Sequence, residues 1–141
     1  MLHQRSELQE HHDRFVRRVI EGETVWGLDS GNGYATCQSA NHSDGSVILF
    51  WSDRGYATRA IKAGFDECSV ASITLLDFLF RWLPGMDSDG VSAGCNWTRD
   101  LAGLEKTADG LQVEIVESMP REMIAGYRSE VTRQLAEQDR G

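Results

Sequence analysis

One uninterrupted apolar run, VILFW at residues 47–51, constrains this chain more than any other feature. A strand with one wet face alternates apolar and polar side chains, whereas an unbroken run needs cover on both faces. Residues 47–51 are therefore expected to form an interior strand. Ser52, Asp53, Arg54 and Gly55 then signal a sharp turn, with Ser52 or Asp53 placed to cap a short helix. Tyr56, Ala57, Ala60 and Ile61 give that helix a narrow apolar side, and Gly64 ends it. Residues 65–70 read as a further strand or an extended crossover. Ser72 is the expected N-cap of a helix over 73–83, in which only Thr74, Asp77 and Arg81 are polar. A helix with so little polar surface must be packed on several sides. Pro84-Gly85 is expected to stop it.

The rest of the chain covers or extends this unit. Leu8, Phe15, Val16, Val19 and Ile20 recur at helical spacing, which predicts a helix over 3–21 ended by Gly22. Residues 24–29 and 34–39 alternate as strands around a Ser30-Gly31-Asn32-Gly33 turn, and Asn41, His42, Ser43, Asp44 and Gly45 make a second turn. Two tight connections in succession predict an antiparallel meander. After a turn at residues 87–90, a strand over 91–98 carries Val91, Ala93, Cys95 and Trp97 on one face. Residues 100–104 are either irregular or a helical turn. Residues 111–116 read as helix or strand, and β-branched Val113, Ile115 and Val116 incline them to strand. Beyond Pro120, Met123, Tyr127, Val131 and Leu135 repeat every four residues and predict a final helix over 121–137, with a frayed tail.

Length and composition bound the function. At 141 residues the chain fits one domain able to bury its own core. A net charge of −8 argues against nucleic acid and anionic membrane, which are bound through clustered cations. No run reaches the ~20 apolar residues of a bilayer span, and the first residues have no apolar signal region, so the expected location is the cytoplasm. The cysteines Cys37, Cys68 and Cys95 make no C-x-x-C pair and are expected as buried, reduced thiols.

Few residues suggest chemistry. His11-His12-Asp13, with His3 upstream, invites a metal, but adjacent helical histidines diverge by about 100°, so a solvated helix face is the expectation and no metal is assigned. His42 beside Asp44 is a weak candidate base. There is no nucleophile elbow, and Gly31-Asn32-Gly33 is a hairpin turn rather than a phosphate loop, with no lysine following. Trp26, Trp51, Trp82 and Trp97 lie on different elements and are expected in the core. The place where the central strand ends and a helix begins is where α/β folds commonly hold ligands. The candidate contact surface is therefore Trp51, Asp53, Arg54, Tyr56, Asn96 and Trp97. No motif calls for a cofactor.

VWGLD at 25–29, ILFWSDRGYA at 48–57, LDFLFRWLP at 76–84 and NWTRDLAGLE at 96–105 together resemble the bacterial family named domain of unknown function 2750, over roughly residues 23–118. The order of motifs is also similar to the N-terminal part of SseB-like proteins, which are associated with secretion and immunity-type modules. The first resemblance implies a fold and carries no catalytic residues; the second implies a protein-binding role. The expected fold is a single α+β domain, an antiparallel meander with additional strands packed against N-terminal, middle and C-terminal helices. The expected function is a small acidic module that binds another protein, as an immunity or accessory factor. The alternative is a small-molecule binder or enzyme with a pocket near Trp51–Tyr56 and Asn96–Trp97. Homodimerisation through a terminal-helix stripe is a third reading.

Overall fold

The β3 strand, Ser46–Phe50, lies between two neighbours, as its unbroken apolar sequence demands. The computed structural model describes residues 2–39, 45–98 and 100–140, with side chains over 6–139 of these. The turn residues Asn41, His42, Ser43 and Asp44 and the side chain of His3 lie outside that description. Elements follow in the order α1 (Leu2–Gly22), β1 (Thr24–Asp29), β2 (Thr36–Gln38), β3, α2 (Arg54–Ile61), β4 (Ser69–Thr74), α3 (Leu75–Asp77), a π-helical turn (Phe78–Trp82), α4 (Leu83–Asp89), β5 (Ser92–Cys95), β6 (Glu105–Thr107), α5 (Ala108–Ser118) and α6 (Arg121–Arg140).

The main sheet has the order β2-β3-β5-β6. β2 and β3 form the expected antiparallel hairpin, with Cys37 opposite Val47. β3 and β5 are parallel, Ile48 opposite Ala93, and β6 returns antiparallel to β5. β1 enters the sheet differently from a plain meander. Its full length pairs antiparallel with β4, Val25 opposite Ile73. It touches β3 through a bridge between Trp26 and Trp51, and β2 through one between Asp29 and Tyr34. Both sheets thus share a corner, where Trp26 and Trp51 exchange backbone hydrogen bonds of 2.8 and 2.7 Å. The architecture is mixed α+β.

Two apolar clusters lie on opposite faces of β3. Phe50 joins Phe15, Val19, Val25, Phe78, Leu79, Leu111 and Ile115 under α1, α5 and the middle helix. Val47, Leu49 and Trp51 join Leu28, Ala57 and Ala60 under α2. Each fully buried Leu, Val or Phe contributes roughly 1.5–3 kcal/mol of hydrophobic stabilisation. Phe50 meets Phe78 edge to face, ring centroids 4.8 Å apart, so the greasy helix shields the central strand directly.

Several boundaries differ from expectation for identifiable reasons. Gly22 remains in α1, and Glu23 takes the left-handed conformation, φ 51°, that turns the chain into β1. The segment expected as a helix from residue 73 begins as β4; Thr74, not Ser72, is the cap, its hydroxyl accepting the Asp77 amide proton at 3.1 Å. Pro84 does not stop the helix. In a regular α-helix its ring would press on the carbonyl of Phe80, but a wider π turn precedes it and Pro84 falls in the first turn of α4. The helix ends at Gly90, φ 69°, so residues 87–89 are helical rather than a turn. Residues 111–116 are helix, not strand: Thr107 caps α5 through the Gly110 amide, and Leu111 and Ile115, four apart, are both buried. The stripe on α6 docks only in part. Met123, Ile124 and Tyr127 pack on the core, while Leu135 is 57% exposed.

Candidate functional site

The loop after β5 builds the site's floor. Asn96 adopts a left-handed conformation, φ 53°, which an asparagine tolerates better than most residues. This breaks the period-two alternation, so Trp97 leaves the face of Ala93 and Cys95 and packs with the opposite cluster. The indole lies against two backbones: a Cβ at Gly103 would sit 2.1 Å from Trp97 Cδ1, and one at Gly94 2.5 Å from its Cε2. Trp97 Nε1 donates to Leu104 O at 3.0 Å, and Trp51 Nε1 donates to Trp97 O at 3.1 Å. Both indole N–H groups are thereby engaged.

Asn96 also ties three elements together. Its Oδ1 accepts the buried Ser52 amide proton at 2.8 Å, and its Nδ2 donates to Ser52 Oγ at 3.0 Å and His11 O at 3.3 Å. α1 thus docks at the C-terminal ends of β3 and β5. Asp53 stands at the head of α2 but makes no side-chain cap. Its oxygens instead accept two bonds from Arg18, at 2.7 and 2.5 Å, and one from Ser52 Oγ at 2.6 Å. Partial burial raises the carboxyl's pKa, but the bonds from Arg18 and Ser52 and the charge of Arg18 prevail, so the net shift is downward. Arg54 is exposed and lies 6.0 Å from the Trp26 ring.

Between α1, α2 and the β5 loop opens a cleft of about 320 Å³, lined by His11, Arg14, Trp51, Tyr56, Arg59, Ala60, Asn96, Trp97 and Thr98. Of the candidate residues named from sequence, Trp51, Tyr56, Asn96 and Trp97 line it; Asp53 and Arg54 do not. Sequence reasoning missed His11, Arg14 and Arg59. His11 and Arg14 are three apart on α1, as Tyr56 and Arg59 are on α2, so each pair shares a helix face. That signal was present, but which face meets the β5 loop depends on tertiary packing.

His12 corrects the expectation of a solvated histidine pair. It is fully buried, its Nε2 2.7 Å from Glu114 Oε1 on α5, and its Nδ1 has no hydrogen-bond partner among the described residues. No cluster of His, Cys, Asp or Glu suited to a metal occurs among the described residues. Cys95 is buried as expected, whereas Cys37 and Cys68 are partly exposed. Burial raises the pKa of all three thiols, so each favours its protonated, weakly nucleophilic form.

The sequence matches the profile of a family described as protein of unknown function (DUF2750) over residues 12–115. The chain belongs to this family. The DUF2750 region runs from within α1 to within α5 and takes in every cleft residue except His11, while α6 lies beyond it. No curated protein and no solved structure matches the chain. Among the described residues no helix is long and apolar enough to cross a membrane.

Proposed function

We propose that this DUF2750 protein binds a small molecule in the cleft between α1, α2 and the β5 loop. The observation that carries the reading is convergence: His11, Arg14, Tyr56, Arg59 and Thr98 bring polar groups from three elements to one concavity walled by Trp97 and backed by buried Trp51. Small-molecule sites have this character, an apolar enclosure with a few placed polar groups. The supporting shell is rigid, because Asn96 and both indoles are fixed by internal hydrogen bonds. A thermal-shift screen of a metabolite library tests it. Hits that raise the midpoint of the native protein and lose effect in Tyr56→Ala or Arg59→Ala support the reading. A library without hits, or hits indifferent to both variants, counts against it.

A second reading, a basic protein partner, is favoured by the net charge of −8. Low-salt capture of a specific basic protein, released by moderate salt, supports it; recovery of no such partner removes it.

A further inference from the structure

We infer that the ligand of this cleft is a small organic oxyanion, a carboxylate or phosphate monoester on a flat apolar body. The inference rests on the binding reading above and narrows it. Acidic residues outnumber Lys and Arg by 22 to 14 in this chain, yet among the described residues none of the nine that line the cleft is acidic. Two are arginines and one is histidine.

Arg14 is the decisive group. It is partly buried, and its guanidinium makes no hydrogen bond or ion pair among the described residues. The carboxylate it acts on through space, Asp53, already receives two bonds from Arg18 and one from Ser52. A guanidinium carries five donors in a planar fork, and a carboxylate or phosphate is the acceptor whose geometry matches it. Arg59 adds a second cation, its guanidinium 5.8 Å from the Tyr56 ring and without an ion pair among the described residues. Thr98 Oγ1 accepts the Ala102 amide proton at 3.3 Å, which leaves its hydroxyl proton free to donate.

The walls define the rest of the ligand. Because the Trp97 N–H group is engaged, its ring offers apolar surface rather than a donor, whereas Trp51 is buried and backs the cleft without presenting surface to it. A volume of about 320 Å³ suits one or two fused rings with a single charged head, not a polymer. A neutral ligand would leave the Arg14 charge unmatched, and a cation would be repelled by both guanidiniums.

The test uses the full chain and calorimetry, with tryptophan fluorescence as a second readout. Probes are benzoate, indole-3-carboxylate and phenyl phosphate, against the neutral benzamide and indole-3-carboxamide. Acids should bind at least about tenfold more tightly than their amides at low salt, the scale of one charge-assisted hydrogen bond. Arg14→Gln should remove about tenfold of that advantage and weaken amide binding by much less than acid binding. Exposed Arg59→Gln, which cannot disturb the core, should weaken acid binding in the same direction. Tighter binding of either head group supports the proposal and shows which oxyanion the fork prefers. Amides that bind as well as acids would overturn it while leaving a binding cleft in place. Binding of none of the five probes would overturn it, and the screen described above would then decide separately whether the cleft binds anything.

Discussion

Asn96 holds the candidate site together without presenting its amide to it. Its type and its place near Trp97 were legible in the sequence, but its partners Ser52 and His11 are 44 and 85 residues away, which no local pattern encodes. Asn96→Ala should destabilise the protein by about 2–4 kcal/mol, from the stranded Ser52 amide and the strain of a left-handed alanine. Asn96→Gly should recover about 1 kcal/mol of that by removing the strain alone. Urea midpoints with an unchanged slope check both values. Asp53 makes a second residue-scale prediction. Its folded pKa lies below the ordinary 3.8. Its contribution is therefore fully present above the unfolded value and fades as pH falls through the folded one. Asp53→Asn should be less stable than the native protein near neutral pH, and the two should converge as pH falls through and below the lowered folded pKa. Parallel midpoints across that range would show a carboxylate that contributes nothing through its charge.

At the scale of elements, the seat of Trp97 is tightly constrained. Gly103 has Trp97 atoms as its three nearest neighbours, all within 2.7 Å of an added Cβ. Gly103→Ala should therefore cost about 1–3 kcal/mol through overpacking. That penalty should shrink in a Trp97→Leu background, and a double-mutant cycle measures the coupling. Equal penalties in both backgrounds would mean that the backbone, not the indole, resists the methyl group. The element pattern was legible where one signal dominated: α1, the β2–β3 hairpin and α6 follow directly from periodicity and turn residues. It failed where two signals competed. In α5, β-branched Val113, Ile115 and Val116 argued for strand, but the Thr107 cap and the burial of Leu111 and Ile115 prevailed. At Pro84 a change to π geometry, which leaves no compositional trace, let the helix continue. The helix face carrying His11 and Arg14 was visible; its apposition to Arg59 was not, because it is set by the docking of α1 through Asn96.

For the whole molecule, the central run at residues 47–51 correctly implied cover on both faces, and the two clusters flanking β3 are that cover. Among the described residues, those buried as core lie at or before Met119, whereas α6 packs partly buried Met123, Ile124 and Tyr127 against it. Two side-chain hydrogen bonds among the described residues tie α6 to the rest: Tyr127 Oη donates to Glu23 at 2.7 Å, and Arg81 donates to Gln134 at 3.1 Å. Burial and the Glu23 carboxylate raise the Tyr127 pKa, so the phenol keeps its proton and the bond persists at ordinary pH. The family match likewise ends at residue 115, inside α5. These facts predict that a chain cut after Pro120 keeps its fold. It should unfold in one cooperative transition, with stability lowered by about 2–5 kcal/mol for three half-buried side chains lost. Near-UV circular dichroism from Trp51 and Trp97 should survive, because neither cluster nor cleft contains an α6 residue that reaches them. A truncated chain that retains helical signal but loses its near-UV spectrum and its cooperative transition would show the opposite: that α6, for all its exposure, closes the core.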